Sequence, residues 1–177
     1  MSQSEERNLK PSQVPSRIIG VDPGLASVGW GVLESANGRL TYIVHGCIET
    51  SMEMTKGERL TLIYRSILKI VKTYKPSEAA MENLYFGKNH SSAMAVAEAR
   101  GVLFMALASQ GLPVRELPPS AIKIAVTGLS RADKKQVQEM VRLILGLKEI
   151  PKPDHAADAL GAAICAAHLN PNLAQGL

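Results

Sequence analysis

The sequence is poor in the residue types that build disulfide frameworks and zinc sites. Its 177 residues include only two cysteines, Cys47 and Cys165, and four histidines. Each cysteine lies in an apolar run, which is typical of a small buried side chain rather than of a disulfide or a metal pair. No Cys/His spacing predicts zinc, no Walker-type glycine loop is present, and no arrangement of Ser, His and Asp predicts a nucleophilic triad. The cysteine usage favours a reducing cytoplasm.

Long hydrophobic runs are also absent. No apolar run reaches the roughly 18 residues that a membrane-spanning helix needs, and the N-terminus, M-S-Q-S-E-E-R, lacks the hydrophobic region of a secretory signal. With 46% hydrophobic residues, the composition predicts one globular domain with a substantial core. We expect a flexible arm over residues 1–16, a folded domain over 17–170 and a flexible tail over 171–177. The formal net charge of +4 suits a polyanionic partner without requiring one.

The hydrophobic pattern predicts an α/β domain with a mixed sheet. Ile18, Ile19 and Val21 indicate a first buried strand, and Asn37-Gly38 indicates a hairpin between the next two strands. Apolar residues then recur at helical spacing until Pro76, and a strand over 78–86 follows. A helix that connects two strands in this way implies a parallel neighbour.

The second half of the chain alternates helices with one short strand. A helix over 91–110 is apolar on nearly every side, which predicts that it is deeply buried or covered by a second copy in a homodimer. A strand over 114–117 and a helix over 120–126 follow. Another helix opens with Arg131, and a last, alanine-rich helix spans 154–168. The expected architecture is a mixed five-stranded sheet flanked by helices.

Two carboxylates, Asp22 and Glu82, each follow a short apolar run and precede a glycine-containing loop. Asp22 also belongs to an Asp-Pro-Gly sequence, which is common in turns. In the last helix, the three-to-four spacing lets either Asp154 or His155 share a face with Asp158, and it does not choose between them. Asp154 would alternatively cap the helix while Asp158 is an ordinary surface acid. However, Asp158 lies among alanines and a leucine, where an unpaired carboxylate would be costly to bury.

A cation bound among these side chains would remove that cost. Carboxylates from two strands, with a carboxylate or imidazole from a helix, are suitable ligands for Mg²⁺ or Mn²⁺. Two such ions about 4 Å apart would activate a water and stabilise the leaving oxygen in phosphodiester cleavage. The sequence therefore favours a hydrolytic metal site.

Five ordered motifs resemble the RuvC family of Holliday-junction resolvases, also called crossover junction endodeoxyribonucleases. The resemblance covers nearly the whole chain, and ordered motifs are far more specific than a single acid. The motifs are I-I-G-V-D-P-G-L-A-S-V-G-W-G-V, A-M-E-N-L-Y-F-G-K-N, E-A-R-G-V, G-L-S-R-A-D-K-K-Q-V-Q-E-M-V and H-A-A-D-A-L.

The resemblance implies a ribonuclease-H-like fold and a homodimer that uses divalent metal, Mg²⁺ or Mn²⁺, to nick two strands of like polarity across a four-way junction. It implies work with the RuvA and RuvB branch-migration proteins in recombination and repair. Asp22, Glu82 and Asp158 match family acids, and His155 falls where some members have histidine and many have aspartate. An imidazole there suits a transition ion, so we expect manganese to support activity better than magnesium.

The resemblance also implies a DNA-binding surface. Aromatic side chains just after the strand acid are expected to stack on bases near the junction centre. Basic side chains around the cleft are expected to contact phosphates, whereas solvated lysines would leave the salt dependence of binding unchanged. The expected DNA-binding residues are Tyr85, Phe86, Lys88, Lys123, Arg131, Lys134 and Lys135. Two alternatives stay open: another ribonuclease-H-like nuclease, or a non-catalytic junction-binding protein.

Overall fold

The computed structural model of the protein describes residues 15–83 and 90–169, and at 90–92 the backbone alone. The elements in chain order are β1 (Ser16–Asp22), β2 (Ser27–Ala36), β3 (Arg39–Glu49), α1 (Lys56–Tyr74), β4 (Glu78–Glu82), α2 (His90–Ser109), β5 (Val114–Leu117), α3 (Pro119–Thr127), α4 (Lys134–Ile144) and α5 (Asp154–His168). β1 begins one residue before the expected domain start, while residues 1–14 of the expected arm and the tail 171–177 lie outside the described residues. The domain boundaries stay predictions.

The five strands form one mixed sheet in the order β3-β2-β1-β4-β5. β1 pairs antiparallel with β2, and β2 with β3, as the Asn37-Gly38 hairpin signal predicts. β1 pairs parallel with β4, and β4 with β5. The expected mixed, five-stranded α/β architecture is therefore confirmed.

Alternating side chains of the strands build two cores, one on each face of the sheet. Ile18 packs with α3, α4 and α5 on one face. Ile19 and Val21 pack with α1 and α2 on the other. All three side chains are fully buried, which explains why β1 reads as a continuous apolar run rather than as an alternating one.

Glycines in the strands allow α5 to lie unusually close to the sheet. A Cβ at Gly20 would fall 1.8 Å from the carbonyl oxygen of Ala159. A Cβ at Gly29 would fall 2.0 Å from the carbonyl oxygen of His155. Because α5 has small side chains and these strand positions have none, the helix packs close to the sheet. This close packing fixes the position of its first turn.

Two element boundaries differ from the sequence-based expectation. β4 ends at Glu82 and not at Phe86, because its partner β5 ends at Leu117 and Pro118 follows. α4 begins at Lys134 and not at Arg131, because Asp133 caps it. The Asp133 carboxylate accepts from the Gln136 N–H, and the Gln136 side chain accepts from the Asp133 N–H, both at 2.9 Å.

α2 has one buried side and one apolar exposed side. Ala99, Leu103 and Leu107 are fully buried against the sheet and α1, whereas Met94 and Met105 remain 65% and 56% exposed. Apolar residues therefore do surround this helix, as expected from the sequence. Among the described residues, no helix combines the length and hydropathy that crossing a membrane requires.

Candidate active site

Asp22 and Glu82 come together because their strands are parallel neighbours. Val21 is in register with Met81, and each acid is the next residue at the carboxyl end of its strand. Both side chains are only partly exposed. The same edge of the sheet therefore carries two carboxylates that leave the core side by side.

The first turn of α5 brings an imidazole and a third carboxylate to this edge. His155 Nδ1 and Asp22 Oδ2 share a hydrogen bond of 2.6 Å. Asp22, His155 and Asp158 each offer one ligand atom, and these atoms all lie within 4.8 Å of one another. Gly29 makes this contact possible, since its missing side chain leaves room for the backbone of His155.

Glu82 lies outside that three-residue group but shares a cleft with Asp158. The cleft has a volume of about 220 Å³. Its lining residues are Glu82, Pro119, Ile122, Lys123, Lys134, Val137 and Asp158. The cleft lies between the carboxylates of Glu82 and Asp158 and the helices α3 and α4. Lys123 and Lys134 line it together with these two acids.

The electrostatics of the edge favour a bound cation. Burial is the main cause that raises the pKa of Asp22; the hydrogen bond to His155 opposes part of that rise, and the charge of Asp158 adds a smaller rise. Burial also raises the pKa of Glu82, and the charges of Asp22 and Asp158 add to that rise. Carboxylates that are desolvated and close together are destabilised as anions, and a divalent ion relieves both effects.

The donor set fits a hard or borderline divalent ion. Asp22 and Asp158 supply carboxylate oxygens, His155 supplies an imidazole nitrogen, and the open cleft leaves room for water and phosphate oxygen. In the described residues, Cys47 and Cys165 lie elsewhere as free thiols, so the site offers no thiolate ligand for a softer metal. The donor set therefore suits a hard or borderline divalent ion rather than a structural zinc.

The structure separates the two α5 residues that spacing left as alternatives. Asp154 is exposed and faces Lys134, whose Nζ lies 3.2 Å from Asp154 Oδ2, and this contact lowers the pKa of Asp154. Pro153, not Asp154, occupies the cap position of α5. His155 therefore joins the candidate ligand group, while Asp154 belongs to an ion pair beside it.

Sequence reasoning missed the second contact of Lys134. Its Nζ also lies 3.3 Å from Asp158 Oδ2, so one ammonium bridges a candidate metal ligand and a residue outside the ligand group. The Asp133/Gln136 capping box, which the sequence D-K-K-Q contains, was the available signal for where α4 begins. Nothing in the local sequence indicates that this helix start faces α5.

The other expected DNA-binding residues divide into three groups. Lys123 lines the cleft opposite Glu82, and its charge opposes the rise in the pKa of that acid. Arg131 and Lys135 are exposed near the start of α4. The remaining three, Tyr85, Phe86 and Lys88, lie outside the described residues.

Comparison with known proteins decides the family. The family model described as crossover junction endodeoxyribonuclease RuvC matches residues 18–166. The chain belongs to the RuvC family. The RuvC of Treponema denticola is 52% identical over 161 residues, which cover 91% of this chain and 88% of that protein. The RuvC of Chloroflexus aurantiacus is 50% identical over 157 residues, covering 89% of this chain and 96% of that protein.

A solved RuvC structure supports the same assignment in three dimensions. The structure described as T. thermophilus RuvC in complex with Holliday junction substrate superposes with a TM-score of 0.83 at 31% identity. It covers 89% of this chain and 97% of that one. The yeast mitochondrial resolvase Ydc2 shares the fold at a TM-score of 0.64 and 13% identity. The ribonuclease-H-like fold expected from the RuvC resemblance is confirmed.

Proposed function

We propose that this protein is a metal-dependent endonuclease that resolves four-way DNA junctions by nicking two strands of like polarity, in homologous recombination and DNA repair. The observation that carries the proposal is the grouping of Asp22, His155 and Asp158 within 4.8 Å, with Glu82 in the adjoining cleft. RuvC relatives, one of them solved with a Holliday junction substrate, support this choice of reaction. The expected location is the cytoplasm.

In this proposal the four site residues divide between two divalent ions. Asp22, His155 and Asp158 would hold the first ion, and Glu82 would contribute to a second from the cleft side. Ions bound there would supply an activated water and charge stabilisation at the leaving oxygen. If His155 did not bind the ion, its imidazole would instead be placed for proton transfer at the cleavage site. Because its hydrogen bond occupies Asp22 Oδ2 without metal, we expect metal binding to break that contact.

The DNA is expected to approach across the basic side of the cleft. Lys123, Lys134, Lys135 and Arg131 lie on α3, α4 or the turn between them, which is consistent with contacts to phosphates on one face. Tyr85, Phe86 and Lys88 follow Glu82 along the chain, and their contact with opened bases stays a prediction. Recognition of junction shape by two symmetric sites would not require base-specific contacts.

A homodimer through α2 would supply the second site. The exposed face of α2 carries Met94, Phe104 and Met105, an apolar surface of the kind that partners cover. We expect the Met105→Glu variant to be monomeric by light scattering and to lose paired nicking, while Met52→Glu, at a more exposed methionine in the β3–α1 loop, stays dimeric. If the Met105→Glu protein remained dimeric, the dimer interface would not lie on this face of α2.

Cooperation with RuvA and RuvB is proposed from the family alone.

The decisive experiment is cleavage of an immobile synthetic four-way junction, followed strand by strand in Mg²⁺ or Mn²⁺. We expect symmetric nicks that require metal and that fall at least about 10²-fold in Asp158→Asn, because one ligand of the ion is lost. Asp154→Asn, at the exposed neighbour outside the ligand group, is the matched control and should stay within a few-fold of wild type. Binding without nicks would leave a junction-binding protein, and equal cleavage of linear DNA or RNA would indicate a general nuclease.

The choice of metal is tested in the same assay. Because His155 supplies nitrogen where many relatives have a carboxylate, we propose that Mn²⁺ supports faster cleavage than Mg²⁺ when each is saturating. The His155→Asp variant should shift the preference toward Mg²⁺. Equal or faster wild-type turnover in Mg²⁺ would contradict this part of the proposal.

A further inference from the structure

Lys134 occupies an unusual position for a residue expected to contact DNA. Its ammonium lies between Asp154 Oδ2 at 3.2 Å and Asp158 Oδ2 at 3.3 Å. Asp158 belongs to the candidate ligand group, and Asp154 does not. Without metal, a ligand carboxylate is therefore already engaged by a cation that the protein itself provides.

The fold holds the backbone of Lys134 in place while leaving half of its side chain exposed. The capping box of Asp133 and Gln136 fixes the first residue of α4. Val137 and Val141 then pack in the same core as α5, so the two helix starts are held close together. The side chain of Lys134 is 52% exposed, and its four-carbon stem allows the ammonium to move without any change in the backbone.

The charges around Asp158 make this contact exchangeable. A divalent ion at Asp22, His155 and Asp158 would bring two positive charges to the carboxylate that Lys134 now contacts. Two cations at one carboxylate repel each other, so the weaker, exposed contact is the one to break. Asp154 keeps the released ammonium beside the cleft, because it is exposed and lies outside the ligand group.

We propose that Lys134 is an exchangeable counter-ion that neutralises Asp158 in the metal-free site and, once metal has displaced it, is released to contact a substrate phosphate. The inference rests on the proposed metal-dependent function. It adds that metal binds before DNA and thereby frees Lys134 to contact the DNA. It follows that Lys134 competes with metal when DNA is absent and assists DNA binding when metal is present.

Metal affinity without DNA tests the first half. We would titrate Mn²⁺ into DNA-free protein and measure the free ion by electron paramagnetic resonance. Lys134→Gln should bind Mn²⁺ about two- to fivefold more tightly than wild type, the range expected for loss of an exposed ion pair. Lys135→Gln is the matched control: it makes the same charge change one residue away, and no ion pair within the described ranges involves Lys135. Lys134→Arg should restore the wild-type affinity.

The salt dependence of junction binding tests the second half. In Ca²⁺, used as a probe ion that occupies oxygen sites, Lys134→Gln should lower the slope of log affinity against log salt by about one. In a chelator, where Lys134 stays on Asp158, the same substitution should leave the slope unchanged. A slope that falls equally in both conditions would overturn the exchange.

The outcomes separate this inference from the proposed function. If wild type binds Mn²⁺, Asp158→Asn loses it and Lys134→Gln binds no more tightly than Lys135→Gln, the counter-ion role is wrong and the metal site stands. If wild type does not bind Mn²⁺, both are wrong. Unfolding curves for each variant check that the fold is retained.

Discussion

A single methyl group at Gly29 should disturb the candidate site through the backbone of α5. The ideal Cβ of alanine at this position would lie 2.0 Å from the carbonyl oxygen, 2.3 Å from the carbonyl carbon and 2.8 Å from the Cβ of His155. Real Cβ contacts essentially never fall under 3.0 Å. The first turn of α5 must therefore move away from β2 by about 1 Å, since the obstacle is backbone and cannot rotate aside.

Gly29→Ala should lower both the stability and the activity of the protein, by amounts that follow from this displacement. Forcing extra volume into a packed interface costs about 1–3 kcal/mol in free energy of unfolding. For a domain of this size, each kcal/mol corresponds to about 2–4 °C in Tm. His155 and Asp158 lie on the displaced turn, and a misplacement of about 1 Å is enough to lower a catalytic rate by roughly 10²-fold. Gly29→Ala should therefore lose more activity than its modest loss of stability explains.

The assay combines junction cleavage in Mn²⁺ with thermal unfolding. Gly57→Ala is the control, because a Cβ at Gly57 in α1 meets nothing within 4 Å. That substitution should be neutral or stabilise the protein by up to about 1 kcal/mol, and cleavage should be unchanged. A Gly29→Ala protein that cleaves within twofold of wild type with an unchanged Tm would refute the claim that this close contact positions the site.

Two further predictions concern charge. Burial raises the pKa of Asp22, so the folded state binds this proton more tightly than the unfolded state does, and ionised Asp22 destabilises the metal-free fold at neutral pH. Asp22→Asn should therefore unfold at a higher temperature than wild type at pH 7 without metal. The difference should shrink as the pH falls through the raised pKa of folded Asp22 and level off below the ordinary pKa of aspartate, and an unchanged or lower Tm at pH 7 would contradict this. Lys123→Gln should lower the salt slope of junction binding by about one, measured in Ca²⁺ by fluorescence anisotropy, and an unaltered slope would mean that Lys123 stays solvated.

The strand-borne part of the site could be predicted from sequence because local pattern determines it. An apolar run that ends in an acid places that acid at a strand end, and parallel strands bring their carboxyl ends to one edge. Asp22 follows this rule directly, whereas Glu82 follows it only because β4 ends at 82 and not at 86 as the sequence pattern predicted. The prediction needed only the sense of the pairing between β1 and β4, which the crossover helix α1 supplies.

The helix-borne part depended on contacts between distant segments. Spacing leaves Asp154 and His155 equivalent as partners of Asp158. The choice follows from Lys134, which engages Asp154, and from Asp22, which bonds to His155. Both contacts join segments whose relative placement the sequence pattern does not describe. The RuvC resemblance favoured His155 for a reason unrelated to those contacts.

The contact between the strand glycines and α5 could not be predicted from the sequence either. A glycine in a strand can serve a bulge, a bend or a close approach, and these uses have no distinct sequence signature. The structure shows the close approach of a specific backbone, that of Ala159 and His155. The alanine-rich pattern of α5 predicts a helix that lies near a sheet, but the strand residues that receive it are more than a hundred positions away.

Asp158 is where stability and function conflict most clearly in this fold. Every residue of α5 from Ala156 to Ala167 is buried except Asp158, and its side chain is only 28% exposed. If only packing mattered, alanine would be the better residue at this position. A half-buried carboxylate loses hydration free energy, and the surrounding alanines offer no polar contacts to compensate. Its contact with Lys134 offsets part of that cost, but an exposed ion pair contributes at most about 1 kcal/mol. A tightly packed helix with one acid aimed at two others is therefore best explained by a cation that the acids hold together, with the dense packing of α5 keeping its ligands in place.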